Sequence, residues 1–373
     1  MWSGDDSADC KKGGPPVDAK SLPQLPIPKY NQVPNFKIVL TVLGISGEYR
    51  SNNSDMTTLS SSRLLEVHAC PHDGSALRFH GGALACAQGH SFAVEQGIPL
   101  FFEGARREEL PGNMAPAQLS PRVEAIDPFV DHWLVNTHGN LYWRARGRLR
   151  RYPIPPWPHR AQGQGKVLVD VGCSWGRWSI AAARVGYRPI GVDVHLDALN
   201  AGGRVSRQVG ATCDFICASA DQLPFRSESV DFIFSYSVLQ HLDRQKVLRF
   251  FREAGRILKP QGRCLVQLPN TIGPYNLVRR IWRGIRRRIP GPFEMRYWSR
   301  RQISEAVAQA GLSRLEIRAD GYFSQNPQLT DLDMLSAAGK LVVLTSYAGC
   351  KAASFVPFFT RFADSFWVEA RKE

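Results

Sequence analysis

The spacing of apolar and polar positions divides the chain into stretches of different texture. Residues 1–60 are rich in Pro, Ser, Asp, Asn and Lys, with one short apolar run at 38–43 and no sustained period of either helix or strand. This predicts a largely disordered leader over 1–60. From 64 to 102, short apolar runs are separated by the turn pairs Asp73-Gly74, Gly81-Gly82, Gln88-Gly89 and Gln96-Gly97. That texture predicts a small β-rich module over 61–104. Residues 105–160 read as a partly helical connector, closed by the proline-rich run 152–158, which enforces extended backbone.

Past this boundary, strand-like runs alternate with helical patterns. Strands are predicted at 166–171, 189–194, 211–218, 230–236, 263–268, 312–319 and 365–370. A helix over 177–185 is stopped by Gly186. Another over 245–258 carries Val247, Leu248, Phe251, Ala254, Ile257 and Leu258 on one stripe. Ser299 with Gln302 has the spacing of a capping box that starts a helix running to Gly311. Such alternation predicts an α/β domain with a mostly parallel sheet over 161–373.

Composition adds class and compartment. With 373 residues and 43% hydrophobic content, the chain can bury a full core. Its longest apolar stretch, 341–359, is interrupted by Lys351 and small polar residues, short of the ~20 apolar residues a membrane span requires. The first residues lack a basic segment leading into an apolar one, and eight dispersed cysteines do not form a disulfide framework. A cytoplasmic protein, with peripheral attachment to a membrane as an option, is expected. The formal charge of +14 is concentrated. Nine arginines lie between Tyr275 and Arg301 against the single acid Glu294, and Arg144, Arg146, Arg148, Arg150 and Arg151 form a second block.

Residues 167–179 carry the most chemistry: a strand, a turn containing Gly172 and Gly176, and a helix start. A turn of this kind points backbone N–H groups and a helix N-terminus at a ligand beyond the carboxyl edge of the sheet. Asp193 ends the next strand, where an acid accepts hydrogen bonds from ribose hydroxyls. Gly172-x-Ser174-x-Gly176 also fits the nucleophile elbow of hydrolases, but that triad needs a histidine after the acid. The last histidine is His241, so hydrolysis is set aside.

These residues resemble the class I S-adenosylmethionine-dependent methyltransferases. The glycine loop stands as 170–176, the ribose acid as Asp193, the adenine-side acid within 220–225, and further signatures as 231–242 and 252–262. The resemblance implies a Rossmann-like methyltransferase fold with a mostly parallel seven-stranded sheet, and S-adenosyl-L-methionine as cofactor. It implies cofactor contacts from Asp170, Gly172, Cys173, Ser174, Gly176, Asp193, Val194, Ala220, Asp221, Gln222 and Ser235. Ser174 departs from the pattern, in which glycine is common, and would narrow the space beside the methionine part. His241 is the candidate general base, because imidazole titrates near neutrality. Tyr236, Gln240 and Trp282 are candidate substrate residues, and Asp170 reads equally well as a brace for the loop.

The module at 61–104 resembles small zinc ribbons of the Trm112 type and those preceding the catalytic domain in some ribosomal-RNA guanine methyltransferases. Cys70, Asp73 (or the adjacent His72), Cys86 and His90 are the candidate ligands of one zinc. A metal-free ribbon held by Leu77, Phe79, Phe92, Val94 and Ile98 is the alternative. Over 275–289, Leu277, Val278, Ile281, Trp282, Ile285 and Ile289 share a helical face ringed by arginines. Such a helix either lies on an anionic membrane, grips RNA phosphates, or packs on its own domain. Resembling quinone-biosynthesis methyltransferases carry a comparable insertion. The leading expectation is methylation of a small or lipid-linked metabolite, such as a glycan or quinone precursor. The alternatives are an RNA methyltransferase and a non-catalytic binding partner, with the oligomeric state open.

Overall fold

A computed structural model describes residues 65–107, 125–160, 162–285, 295–323 and 328–373. The leader expected over 1–60 lies outside the described residues. Four short strands, β1 (Leu77–His80), β2 (Ala83–Cys86), β3 (Ser91–Glu95) and β4 (Ile98–Pro99), form an antiparallel meander. Glycines with positive φ at 81, 82, 89 and 97 make its turns, as the turn pairs predicted.

The larger sheet contains β5 (Val167–Val171), β6 (Arg188–Asp193), β7 (Asp214–Cys217), β8 (Val230–Ser235), β9 (Leu258–Pro269), β10 (Leu312–Gly321) and β11 (Ser365–Lys372). Their order is β10-β11-β9-β8-β5-β6-β7, and β11 alone runs opposite to the other six strands. This is the Rossmann-like methyltransferase fold the resemblance implied. Every residue of β5 is buried, the expectation for a continuous apolar run at the sheet centre. Sequence and structure differ at the ends: β7 is confined to Asp214–Cys217, and β9 begins as soon as the preceding helix stops.

Seven helices are described: α1 (Pro128–His138), α2 (Arg177–Arg184), α3 (Leu196–Gln208), α4 (Arg244–Ile257), α5 (Pro274–Ile285), α6 (Arg300–Gln309) and α7 (Ala337–Phe355). The Ser299–Gln302 capping box forms in both directions at the start of α6. Asp127 caps α1 by accepting from the Phe129 amide, and its carboxylate pairs with Arg204 on α3 at 2.7 Å. The connector helix is thereby tied to the sheet domain. The periodicity did not predict α3 or the 19-residue α7. No helix among the described residues is long and apolar enough to cross a membrane.

Candidate active site and candidate metal centre

The turn between β5 and α2 has the backbone the glycines suggested. Gly172, Ser174 and Gly176 adopt φ of 77°, 50° and 76°. A side chain at 172 would overlap Val238, just past β8, and one at 176 would meet the Phe215 ring at 2.8 Å. Ser174 therefore holds a left-handed conformation natural to the glycine usual there.

Asp193 locks the turn: Oδ2 accepts from the Ser174 amide at 2.9 Å and Oδ1 from the His195 amide at 3.0 Å. Burial raises the pKa of its carboxyl, against the lowering effect of those amides. Asp221 lies after β7. Its carboxylate accepts from the Ser219 hydroxyl and from Arg249 at 2.8 Å. Burial opposes these bonds, and the net shift of its pKa is downward.

The cofactor candidates separate by exposure. Gly172, Ser174, Asp193, Val194, Ala220 and Asp221 are half-buried along one edge of the sheet, and Gln222 is exposed. Asp170, Cys173, Gly176 and Ser235 are buried beneath them. Ser235 donates to Val171 O at 2.9 Å, and Asp170 accepts from Ser179 Oγ at 2.7 Å. These two brace the turn from below. Burial pushes the Asp170 carboxyl up to about 7 despite the Ser179 bond and the charge of Arg177.

On the β8 side lies a buried polar cluster that sequence reasoning missed. Tyr236 is not at an open mouth, as expected, but 5% exposed, with Oη donating to Asp320 Oδ2 at 3.2 Å. Asp320, near the end of β10, also accepts from Ser365 Oγ at 2.8 Å. Burial raises its pKa to about 6, offset in part by Ser365, Tyr236 and Gln267. The Arg177 guanidinium, one residue past the glycine turn, lies 5.8 Å from the Tyr236 ring centre. Tyr142 from the connector donates to the fully buried Asp331 at 2.7 Å, and both favour the charged form of Arg177. Gln240 is buried and donates to Ser237 Oγ, with His241 Nε2 3.3 Å from its amide nitrogen. Trp282, by contrast, is 55% exposed on α5, outside this cluster. The only sequence signal for Asp320 is an acid at a strand end, and nothing local distinguishes it from other strand-end acids.

In the ribbon, Cys70, Asp73, Cys86 and His90 converge. His90 Nδ1 lies 3.5 Å from Cys70 Sγ, 3.3 Å from Cys86 Sγ and 3.1 Å from Asp73 Oδ2, and Cys86 Sγ is 3.4 Å from Asp73 Oδ2. A tetrahedral zinc with ordinary bond lengths has ligand edges of about 3.3–3.8 Å. The donor atoms of these four residues all lie within 4.8 Å of one another and could hold one metal ion, with Asp73 rather than His72 in the group. His72 instead stacks on Phe92. The ribbon abuts the sheet: Leu100 bridges Cys217 in parallel, and Arg106 exchanges backbone bonds with Val194 and Leu196 beside Asp193.

Residues 169–266 match a family described as "Methyltransferase domain". A biotin biosynthesis bifunctional protein of Cellvibrio japonicus is 33% identical over 168 residues, which is 44% of this chain and 31% of that protein. An uncharacterized methyltransferase of Mycobacterium avium is 32% identical over 117 residues, 31% of this chain and 45% of that protein. The chain spans less than half the length of these relatives. A solved SAM-dependent methyltransferase of Methanosarcina mazei aligns at 17% identity with a TM-score of 0.41, covering 60% of this chain and 99% of that one.

Proposed function

We propose that the protein is an S-adenosylmethionine-dependent methyltransferase whose acceptor is a small or lipid-linked metabolite. The observation that carries this is the glycine turn closed by Asp193 at the carboxyl edge of β5 and β6, inside the segment that matches the methyltransferase domain. The residues present fit the cofactor. The turn has no room for a side chain at 172, and half-buried Asp193, Val194 and Asp221 line the same edge.

When bound, S-adenosylmethionine supplies an electrophilic methyl group. The chain's own work is to hold an acceptor in line, exclude water and manage the acceptor proton. Tyr236 and Arg177 lie buried beneath the acceptor side, where they position Asp320 and the groups around it. Asp320 Oδ2, which accepts from Tyr236 Oη, is the first candidate base, and His241 is the second. Asp320 ionises near neutrality, where a base is most effective.

Calorimetry tests the reading. S-adenosylhomocysteine is expected to bind the wild type and to bind Asp193→Ala at least about tenfold more weakly, the cost of losing charge-assisted hydrogen bonds. Equal affinity in the variant, or preference for a nicotinamide dinucleotide, would overturn it.

RNA as acceptor is a second reading. It is favoured by exposed Trp143, with the Arg144 guanidinium 5.0 Å over its ring, amid exposed Arg146, Arg148, Arg150 and Arg151.

A further inference from the structure

The apolar stripe of α5 faces outward. Leu277, Val278, Ile281 and Ile285 are each 45–69% exposed, while Asn276 on the opposite side is fully buried. The buried side is polar: the Asn276 amide side chain donates to Asn270 O and to Asp364 O. The helix is thus fastened by hydrogen bonds with its apolar side turned to solvent, the reverse of a helix packed on its own domain.

α7 repeats the arrangement. Leu341, Leu344, Tyr347 and Phe355 lie on one helical face and are exposed, Phe355 to 83%, whereas Val343, Ser346 and Ala353 are buried. The chain continues through a short 3-10 turn, Pro357–Phe362, with Phe358, Phe359 and Phe362 exposed. That turn meets the start of α5: Asn270 donates to Arg361 O and Ala363 O, and Asp364 accepts from the Asn276 amide. Two outward apolar stripes therefore join at one corner, at the carboxyl edge of β9.

Among the described side chains, the charge of this surface has one sign: α5 carries Arg279 and Arg280 and no acid, and residues 337–363 contain Lys340, Lys351 and Arg361 and no acid. Arg279 lies against Tyr275, Lys351 against Tyr347 and Arg361 against Phe358, so cations stand beside the rings. We propose that α5, α7 and the 357–362 turn form a docking surface for an anionic lipid bilayer, with the apolar stripes entering the interface and the cations meeting the headgroups. Apolar area and cations on one face are what interfacial insertion requires. Burial of each large side chain removes apolar surface from water, and an acidic protein partner would have no use for so wide an apolar stripe. The surface would bring a lipid-linked acceptor to the sheet edge proposed as the active site. The docking itself rests on exposure and charge, not on the catalytic reading.

Co-sedimentation of the full chain with vesicles tests it, independent of methyl transfer. Binding is expected to phosphatidylcholine vesicles containing about a third phosphatidylglycerol, and to be much weaker with phosphatidylcholine alone. Phe355→Ser/Phe358→Ser and, separately, Ile281→Ser/Ile285→Ser are each expected to weaken binding by about tenfold or more. Arg279→Gln/Arg280→Gln should weaken it too, with unchanged circular dichroism and S-adenosylhomocysteine affinity as controls for folding. Equal binding to both vesicle types overturns the proposal, as does binding indifferent to the apolar substitutions. Failure to bind vesicles by a chain that sediments as a dimer also overturns it, and would assign the surface to contact between copies.

Discussion

The phenol oxygen of Tyr236, one residue past β8, lies 3.2 Å from Asp320 Oδ2, 84 residues later in the chain. The pair sits at the carboxyl edge of the sheet because β8 and β10 both end there, and β11 between β9 and β10 supplies Ser365 as a second donor. Burial leaves the carboxyl ionising near neutrality and keeps the phenol protonated well above its ordinary range.

The pH dependence of stability follows from Asp320 and Asp170. Their carboxyls are raised from 3.8 to about 6 and about 7. A raised carboxyl contributes stability that is complete below its unfolded value and is lost as pH rises through its folded value. The ligand-free protein should therefore lose stability between about pH 4 and 7, by up to on the order of 3 kcal/mol from Asp320, since each tenfold change in proton affinity is worth about 1.4 kcal/mol. Asp320→Asn should melt higher than wild type at pH 8, with the difference vanishing near pH 4, in paired thermal scans. The same variant should lower the methyl-transfer rate and flatten its rise with pH near 6.

Gly172→Ala should weaken S-adenosylhomocysteine binding by at least about a hundredfold, or about 2.7 kcal/mol, since it adds a clash to a strained φ. The added methyl group would overlap the Val238 side chain. Val238→Ala in the same chain should recover part of the affinity by removing the overlap while leaving the strain. No recovery in calorimetry would place the cost in the backbone alone.

The ribbon should hold one zinc per chain, measured by elemental analysis of protein purified without a histidine tag. Cys86→Ser and His90→Ala should each lower the zinc content. Chelation should weaken cofactor binding several-fold, because the segment leaving the ribbon bonds to Val194 and Leu196 on either side of His195, next to Asp193. Full affinity after complete chelation would separate the ribbon from the site.

Asp127→Ala should destabilise the fold by about 2–4 kcal/mol, read by denaturant melts, since it removes a helix cap and leaves Arg204 without its carboxylate. The pair is 2.7 Å apart, and Asp127 is 2% exposed, so solvent screens it little. Asp127→Asn should retain the cap and lose only part of this.

Much of the fold was legible in the chain itself. The runs of buried apolar residues at β5 and β8, the glycines of the turn, the acid ending β6 and the Ser299–Gln302 box are local signals, each confined to a few neighbouring residues. Periodicity and turn chemistry act over that range, so the glycine turn, Asp193 and the donors Cys70, Asp73, Cys86 and His90 could be named without coordinates. What tertiary structure alone decided are the pairings made after the sheet assembles. Tyr142 meets Asp331 across 189 residues and Tyr236 meets Asp320 across 84. A buried polar group takes whichever partner the sheet order brings to it, and that order is set by the whole core. The same reason applies to α5. Its sequence announced an apolar stripe, but only the hydrogen bonds of Asn276 to Asn270 and Asp364 determined that the stripe faces solvent.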